Sequence, residues 1–342
     1  MRLAHRLPVW SEPAPDAVPG EAVVAPRSVR LSLTDRCDLA CVYCRPSRRD
    51  GYLDSKLTEA GWRAMLSGLA RSGVRRVRFT GGEPLLYRGI EAVLAEAVKL
   101  GFEDVALTTN ATLLAGRAAA LRAAGLQRIT ISLDSLDANR FARLTRGGRL
   151  EDVLAGIDAA LAAGFPEVKL NCVVLRGENE GELADIVRFA WTRGIVPRFL
   201  EIMPVGVGAR LVPDHLVTVR EMRERLGDLL DDTDAAAVDP DRGPARYVLA
   251  RGNRRLRVGF ISGTSDTFCA GCDRLRVTAD GVLRPCLSTN DGVSAVLPAA
   301  AGDPQAIATA VGRAWRLKPD STTWKGCTEE TARAVSMRAT GG

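Results

Sequence analysis

The sequence predicts an α/β fold in which a largely parallel sheet is followed by a smaller C-terminal α+β module. Short apolar runs of strand length alternate about six times with amphipathic helical stretches between residues 28 and 206. The connections are short, which indicates parallel strands joined by right-handed crossovers. After residue 206 the alternation stops. Six strand-helix units predict a barrel or part of one, with its chemistry at the carboxyl ends of the strands.

The predicted strands and helices can be read from the apolar positions. The strands are residues 29–34, 74–80, 105–109, 128–134, 168–174 and 197–203. Apolar stripes with the i, i+3, i+4, i+7 spacing of a buried helix face occur between them. The residues of these stripes are Trp62, Met65, Leu66, Leu69, then Ile90, Val93, Leu94, Ala97, then Leu154, Ile157 and Leu161.

Three regions follow from this pattern. Residues 1–27 are proline-rich and lack periodicity, so we expect a poorly ordered extension. Residues 28–215 are expected to form the barrel, and residues 216–342 the C-terminal module. Within this module we predict a helix at 218–230, a surface loop at 231–244, and a hairpin of strands 246–250 and 255–261 around Gly252-Asn253.

Composition excludes several classes of protein. The 342 residues are 46% hydrophobic and 26% charged, and no apolar stretch approaches the roughly 18 residues of a membrane span. The first residues lack the apolar core of a secretory signal, so a cytoplasmic location is predicted. The net charge of +6 favours an anionic partner, although an arginine-rich composition explains it equally well. The eight cysteines fall into two triads plus Cys172 and Cys327, which is typical of metal ligands rather than of disulfides.

The first triad follows the first predicted strand. Cys37, Cys41 and Cys44 have the spacing C-x3-C-x2-C. Three thiolates at this spacing can hold three irons of a 4Fe-4S cluster and leave the fourth iron without a protein ligand, whereas an electron-transfer cluster normally has four cysteines. A small molecule is therefore expected to complete the coordination.

The segment Thr80-Gly81-Gly82-Glu83-Pro84 ends the second predicted strand. Its two glycines would let a ligand approach the backbone, and the carboxylate of Glu83 could accept a hydrogen bond from an ammonium group. Taken alone, the segment is equally well explained as a tight turn.

The second triad is Cys269-x2-Cys272-x13-Cys286. A C-x2-C pair is also common in zinc sites, but no fourth zinc ligand is obvious, since His215 is distant in sequence and Cys327 is unassigned. A second 4Fe-4S cluster with an open iron explains three cysteines without a missing ligand, and the sequence favours this interpretation.

Basic residues accompany both triads. Arg274 and Arg276 alternate on a strand directly after Cys272, which places both guanidinium groups on one face. Further basic side chains lie in or near strand ends, where we expect them to face one mouth of the barrel; they are Arg30, Arg76, Arg78, Lys169 and Arg198. Individually each could be a surface charge, but the set would suit a triphosphate.

These motifs carry a resemblance to a known family. The first triad, with Tyr43 between its last two cysteines, and the Gly-Gly-Glu-Pro segment resemble the signature of the radical S-adenosylmethionine (SAM) superfamily. With the second triad, the Cys-Asp-Arg-Leu-Arg run at 272–276 and the terminal Gly341-Gly342, the chain from residue 28 onward resembles the GTP 3′,8-cyclases of molybdenum cofactor biosynthesis. The resemblance implies a partial (βα)6 TIM-type barrel of the radical SAM class, two 4Fe-4S clusters and SAM.

The resemblance also implies roles for individual residues. The six triad cysteines would hold the two clusters. The implied SAM-binding residues are Tyr43, Gly81, Gly82, Glu83, Ser132 and Met203. The implied GTP-binding residues are Arg30, Arg78, Thr108, Lys169, Arg274 and Arg276, with Arg76, Arg198 and the pocket-inserted tail residues Gly341 and Gly342 as further candidates. Two departures from the family pattern are Ala111, where glycine is common, and the segment 318–327.

The implied activity is that of a lyase. A 5′-deoxyadenosyl radical from SAM would abstract the 3′ hydrogen of GTP, and the C3′ radical would join C8 of guanine. One further electron and a proton would then give 3′,8-cyclo-7,8-dihydro-GTP. The implied partners are GTP, an external electron donor, a cyclic pyranopterin monophosphate synthase that receives the product, and a second copy of the chain in a homodimer. Neither a membrane nor a nucleic acid is expected.

Two other functions remain as alternatives. Radical SAM enzymes that mature peptides also carry auxiliary clusters, but their extensions usually hold more cysteines, and they give the arginine pair and the Gly-Gly tail no role. A basic, zinc-stapled nucleic-acid-binding protein would explain the charge and the C-x2-C pair. It would leave the first triad and the Gly-Gly-Glu-Pro segment unexplained.

Overall fold

The computed structural model describes residues 26–45, 52–231, 243–319 and 337. The strands are β1 (Ser28–Ser32), β2 (Arg76–Thr80), β3 (Asp104–Thr109), β4 (Arg128–Ser132), β5 (Glu167–Val174), β6 (Val196–Glu201), β7 (Arg246–Ala250), β8 (Asn253–Ile261), β9 (Arg274–Val277), β10 (Val282–Arg284) and β11 (Val293–Ser294). The helices are α1 (Glu59–Arg71), α2 (Ile90–Lys99), α3 (Ala118–Ala123), α4 (Ala138–Thr145), α5 (Leu150–Ala162), α6 (Leu183–Thr192), α7 (Gly208–His215), α8 (Val219–Arg225), α9 (Val296–Ala300) and α10 (Pro304–Arg316).

Strands β1 to β6 lie side by side in sequence order, and every neighbouring pair is parallel. Their bounds agree with the six predicted strands to within two residues at each end. Each of these six strands is followed by a helix, as right-handed crossovers between parallel strands require. The prediction of a mixed α/β fold with a parallel, barrel-type sheet is confirmed.

The C-terminal module does not form a sheet of its own. Strand β8 pairs in parallel with β6, and β9 pairs in parallel with β1, so the module extends both edges of the parallel sheet. Strands β7, β10 and β11 complete a sheet of eleven strands in the described part of the chain. The physical reason is that β1 and β6 would otherwise present unpaired backbone N–H and C=O groups at two open edges.

The predicted stripes of α1 and α2 are buried, whereas in α5 only Ile157 of the three predicted residues is fully buried, and Leu154 and Leu161 are partly buried. The helices of the C-terminal half also differ from the prediction. Helix α8 is shorter than residues 218–230 and starts with a capping box between Thr218 and Glu221. Helices α7 and α10 were not predicted, although Asp303 caps α10 and Pro304 opens it. The predicted loop at 231–244 and the extension at 1–27 lie almost entirely outside the described residues.

Helix α10 packs directly against α1 at a glycine. A Cβ atom added to Gly68 would lie 2.3 Å from Cγ2 and 2.5 Å from Cβ of Ile307, whose side chain is buried. The absent side chain therefore sets the distance between the two helices. In the described residues, no helix combines the length and apolar character needed to span a bilayer.

We predict that Gly68→Ala lowers the free energy of unfolding by about 1–2 kcal/mol, because the new methyl group overpacks the contact with Ile307 by more than the gain in helix propensity offsets. Gly312→Ala, within α10, is the matched control, since the nearest atom to its added Cβ would be a guanidinium nitrogen at 4.0 Å. The control should be neutral or stabilising by up to about 1 kcal/mol. Thermal and urea unfolding of the anaerobic holoproteins would measure both, and an equal response would contradict the packing argument.

Candidate functional site

A cavity of about 320 Å³ lies against one face of the parallel sheet and collects most of the predicted site residues. The predicted residues that line it are Cys37, Cys41, Tyr43, Cys44, Gly81, Gly82, Ser132, Met203, Arg30, Arg76, Arg78, Thr108, Arg198, Arg274, Arg276, Cys269, Cys272 and Cys286. Glu83 and Lys169 lie behind the lining, and the tail residues Gly341 and Gly342 fall outside the described residues. Both cysteine triads therefore meet at one cavity.

The two triads lie toward opposite ends of strand β1. The first triad follows the carboxyl end of β1. The second lies at its amino end, because Cys272 precedes β9, and Ser28 of β1 pairs in register with Arg274. Cys286 follows β10, which runs antiparallel to β9 and so returns to the same end. A five-residue strand separates them, a length on the order of 15 Å at about 3.3 Å per residue.

The glycines of the Gly-Gly-Glu-Pro segment are required by the protein itself. The backbone N–H of Gly82 donates to the carbonyl of Thr34 at 2.7 Å, and that of Glu83 donates to the carbonyl of Arg36 at 2.7 Å. An added Cβ would lie 2.4 Å from the Thr34 oxygen at Gly81 and 2.2 Å from the Arg36 oxygen at Gly82. We expected the glycines to admit a ligand; in the structure they also admit the backbone of the cysteine loop.

The carboxylate of Glu83 is fully buried and already hydrogen-bonded. It accepts from the backbone N–H of Leu85 at 3.0 Å, the hydroxyl of Thr109 at 2.7 Å and the backbone N–H of Asn110 at 2.8 Å. The amide of Asn110 in turn donates to Asp38 at 2.8 Å, beside the first cysteine. Glu83 thus ties the end of β3 to the cysteine loop, and burial raises its pKa to about 7 despite these donors.

The first triad lies in a buried environment that carries negative charge. Burial, followed by the nearby carboxylate of Glu83, raises the pKa of the Cys37 thiol. Burial and Asp134 raise the pKa of Cys41 in the same way. Asp134 accepts a hydrogen bond of 2.6 Å from the hydroxyl of Tyr43, so it also fixes the turn between Cys41 and Cys44.

The second triad lies among hydrogen-bond donors and positive charge. The sulfur of Cys272 accepts from Nε of Arg274 at 3.3 Å and from Nζ of Lys318 at 3.4 Å. Burial alone would raise the pKa of this thiol, but the two cations outweigh it and lower the pKa to about 7. The sulfur of Cys286 accepts from the hydroxyl of Ser288 at 3.2 Å.

The basic side chains lie in the strands between the two triads: Arg76 and Arg274 begin β2 and β9, and other members of the set lie further along their strands. Arg30 and Arg78 are the central residues of β1 and β2 and occupy the same register position, opposite Arg276 of β9. Alternation along the strands places them on the cavity face, because every second residue shares a face. Arg76 instead pairs with Asp273 at 2.5 Å, and Lys169 pairs with Glu167 at 2.8 Å.

These cations repel one another. Burial and the neighbouring Arg276, Arg274 and Arg78 lower the pKa of Arg30 well below its usual value. Burial, with nearby arginines adding to it, lowers the pKa of Arg78 and of Arg276 to about 10. Arg78 and Arg198 donate to the hydroxyl of Thr130, at 3.3 and 3.1 Å. A buried positive field of this kind favours a polyanion.

Glu201, which was not predicted, holds the loop that leads to the second triad. The buried carboxylate accepts from the backbone N–H groups of Val219 at 2.8 Å, Thr264 at 2.9 Å and Ser265 at 2.8 Å. The hydroxyl of Ser265 adds a contact of 2.5 Å. One carboxylate at the end of β6 therefore connects the barrel, the start of α8 and the loop before Cys269.

Other residues of the site also escaped prediction. Asp134 and Asn171 line the cavity, and Oδ1 of Asn171 is buried without a hydrogen-bond partner among the described residues. Asp134 directly follows the predicted Ser132-Leu133 pair at a strand end, so its position was the available signal. Lys318 also lines the cavity; the sequence marks it only as the first residue of the segment 318–327, which departs from the family pattern.

The Ala111 departure has a structural counterpart. Ala111 has a φ of 65°, a left-handed conformation that glycine adopts with less strain. Gly156 of α5 lies against it, since an added Cβ there would be 2.4 Å from the Ala111 carbonyl oxygen and 3.1 Å from its methyl group. The methyl group of Ala111 is buried against a glycine that leaves room for it.

The residues present fit the expected clusters and SAM. Three thiols lie at each end of one cavity, and an unpartnered amide oxygen faces it from Asn171. No three His, Cys, Asp or Glu side chains in the described ranges are grouped tightly enough for a single metal ion. A 4Fe-4S cluster does not need such convergence, because each thiolate binds a different iron.

A parallel barrel-type sheet with a cysteine triad beyond the end of its first strand defines a radical SAM protein. In agreement, the family model "Radical SAM superfamily" matches residues 31–190, and "Molybdenum Cofactor Synthesis C" matches residues 195–324. The chain belongs to the GTP 3′,8-cyclase family of radical SAM enzymes, as its similarity to curated members establishes. Membership of the superfamily implies SAM and one 4Fe-4S cluster.

The relatives cover most of the chain. The GTP 3′,8-cyclase of Heliobacterium modesticaldum is 43% identical over 274 residues, which is 79% of this chain and 83% of the relative. That of Pelotomaculum thermopropionicum is 38% identical over 298 residues, covering 85% and 91%. GTP 3′,8-cyclase 2 of Pseudomonas aeruginosa is 41% identical over 298 residues, covering 85% and 89%.

Among solved structures, Streptococcus suis SuiB bound to S-adenosylmethionine shares the fold. The TM-score is 0.60 at 18% identity, and the match covers 80% of this chain and 64% of SuiB.

We predict that Glu201→Ala selectively reduces metal binding at the second triad, because the backbone N–H groups of Thr264 and Ser265 lose their acceptor and the loop before Cys269 loosens. If the second triad holds a 4Fe-4S cluster, iron per chain should fall by up to roughly four atoms, while the SAM-dependent spectroscopic signal of the cluster at the first triad persists. Glu221→Ala is the control, since it removes the α8 cap without touching that loop. Equal iron loss at both triads would contradict the assignment.

Proposed function

We propose that this chain catalyses the 3′,8-cyclisation of GTP, the first step of molybdenum cofactor biosynthesis. The observation that carries the proposal is the buried group of cations between two cysteine triads. Arg30, Arg78 and Arg276 share one cavity, and burial followed by the charge of neighbouring arginines lowers the pKa of each. Such a group lowers its free energy by binding a multiply charged anion, and a nucleoside triphosphate fits this requirement.

Cys37, Cys41 and Cys44 hold the first cluster in this proposal, and Cys269, Cys272 and Cys286 hold a second. When bound, the first cluster and SAM supply the 5′-deoxyadenosyl radical chemistry that removes the 3′ hydrogen of GTP and lets C3′ join C8. The spacing of the triads supports the assignment, since a strand length on the order of 15 Å leaves room for a nucleotide between two clusters.

The protein's own residues provide binding and orientation. Arg30, Arg78 and Arg276 contact the triphosphate, together with Arg274, whose guanidinium also stacks 4.8 Å from the ring centroid of Phe268. The hydroxyl of Thr108 accepts a hydrogen bond of 3.4 Å from the guanidinium group of Arg78. In this proposal Thr108 orients the ribose of the bound nucleotide. Lys169 is not part of the cavity lining and acts through its charge on the neighbouring Arg198; burial, followed by the charge of Arg198, lowers the pKa of Lys169 to about 8.

In this proposal the SAM side of the cavity is formed by Tyr43, Gly81, Gly82, Ser132 and Met203, which all line the cavity. Glu83 supports this side from behind through Asn110, rather than from the cavity surface. The residues therefore divide into a SAM end with the first triad and a triphosphate end with the second.

The remaining parts of the proposal concern organisation and partners. In this proposal residues 28–215 form the radical SAM barrel and residues 216–342 the auxiliary-cluster module, whose terminal Gly341-Gly342 lie outside the described residues. An external donor supplies electrons, a cyclic pyranopterin monophosphate synthase receives the product, and the enzyme works in the cytoplasm as a homodimer.

We predict that the anaerobic holoprotein, given SAM, dithionite and GTP deuterated at C3′, forms a GTP isomer and transfers deuterium into 5′-deoxyadenosine. Chromatography with fragment mass analysis would detect both products. Arg276→Ala and Arg274→Ala should raise the KM for GTP by roughly 10- to 100-fold, since each removes a charge-assisted hydrogen bond, while uncoupled SAM cleavage remains measurable.

Arg254→Ala, at the exposed start of β8, is the matched control and should leave the KM unchanged. Unlabelled 5′-deoxyadenosine from turnover with deuterated GTP would contradict the proposed hydrogen abstraction. Unchanged GTP affinity in both active-site variants would contradict the assignment of the triphosphate end.

We predict that Cys286→Ala loses the second cluster and keeps the first, because the remaining two thiols cannot hold a cubane on their own. Iron and sulfide analysis should show about half the wild-type content, and SAM cleavage should continue without cyclisation. An iron content equal to that of the wild type would contradict the two-cluster assignment.

A further inference from the structure

A lysine just beyond helix α10 connects the two segments that carry the second triad. Nζ of Lys318 donates to the carbonyl oxygen of Arg274 at 2.7 Å, to that of Pro285 at 3.0 Å and to the sulfur of Cys272 at 3.4 Å. An ammonium group has three N–H donors, so these three contacts use all of them. The charge is half-buried at the cavity rather than extended into solvent.

The three acceptors come from both sides of the triad. Arg274 begins β9, two residues after Cys272, and Pro285 directly precedes Cys286. Between the two segments, strands β9 and β10 pair over only a few residues. The ammonium group of Lys318 therefore bridges the backbone beside two cysteines and supplements a short stretch of strand pairing.

Lys318 is itself held in place. Its backbone N–H donates to the carbonyl of Trp315, and its Nζ lies 5.0 Å from the Trp315 ring centroid. Trp315 belongs to α10, which packs on α1 through the close contact between Gly68 and Ile307. The position of the ammonium group is thus set by the barrel.

The charge of Lys318 has an electrostatic consequence for the cysteine sulfur. A cationic donor to a cluster-ligating sulfur stabilises the reduced, more negative state of the cluster and so raises its reduction potential. Cys272 receives such donation from both Lys318 and Arg274, whereas the first triad lies beside Asp38, Glu83 and Asp134.

We propose that Lys318 is a positioning residue for the second cluster: it holds the segments of Cys272 and Cys286 together and raises the reduction potential of the cluster they bind above that of the first. This inference rests on the proposed second cluster. It assigns a role to the first residue of the segment 318–327, which departs from the family pattern.

The test compares the Lys318→Met and Lys318→Arg holoproteins with the wild type by redox titration monitored with electron paramagnetic resonance. Methionine keeps the length and removes the charge. Arginine keeps the charge, but its planar fork cannot reproduce three tetrahedral contacts. Lys99→Met, on the exposed face of α2, is the matched control for the loss of one lysine.

Lys318→Met should make reduction of the second cluster roughly tenfold less favourable, which corresponds to about 59 mV for one electron, and should leave the first cluster unchanged. Lys318→Arg should keep the potential closer to the wild type but bind less iron at the second triad. Lys99→Met should match the wild type in both measurements.

An unchanged potential of an intact second cluster in Lys318→Met would overturn the electrostatic role, and unchanged iron content in both Lys318 variants would overturn the positioning role. If Lys318→Met loses the second cluster entirely, the positioning role is supported; the cluster of Lys318→Arg, which keeps the charge, must then have a potential near that of the wild type, and a shift of about 59 mV or more would overturn the electrostatic role. A wild-type protein that binds only one cluster would instead refute the proposed second cluster, so the two failures are distinguishable.

Discussion

The open edges of the six-stranded parallel sheet constrain everything else in this molecule. Strands β1 and β6 must each find a partner, and the C-terminal segment supplies one to each edge. Pairing of β9 with β1 fixes Arg276 beside Arg30 and brings Cys272 to the amino end of β1. The second triad is therefore placed by the same hydrogen bonds that complete the sheet, and the C-terminal module cannot move away without exposing an edge of the barrel.

A second consequence is that the two ends of the cavity carry opposite charge. At the carboxyl end of β1, buried carboxylates surround the first triad and oppose additional negative charge, which raises the pKa of Cys37 and Cys41. At the amino end, cations surround the second triad and lower the pKa of Cys272. The same field that destabilises a thiolate destabilises an added electron on a cluster, because both are negative charges in a poorly solvated site. In the proposed reaction, strong reducing power is needed at the end with Asp134 and Glu83, where SAM would be cleaved.

The repeated strand-helix units of the barrel could be predicted from the sequence alone. The six strands of the barrel follow from apolar runs, since each strand is buried on both faces. The joining of the C-terminal strands to the barrel sheet could not be predicted, because strand partners depend on contacts between residues such as Ser28 and Arg274, which are far apart in the chain. The same limit applies to the site. Cysteine spacing revealed both triads, whereas Glu201 and Lys318 each act through several contacts with residues distant in the chain, which no local pattern encodes.

The Gly-Gly-Glu-Pro segment shows how one motif can serve two demands. The backbone of the cysteine loop packs so closely against its glycines that no side chain would fit there. The carboxylate of its glutamate already uses three of about four lone-pair sites in hydrogen bonds to the protein. A ligand at this end of the cavity therefore meets a surface that the protein has already made rigid. Rigidity matters here because a reactive radical must reach one hydrogen atom and no other, and small displacements of bound groups cost large factors in rate. The residues of the motif are thus set by the cysteine loop they hold as much as by any ligand they touch.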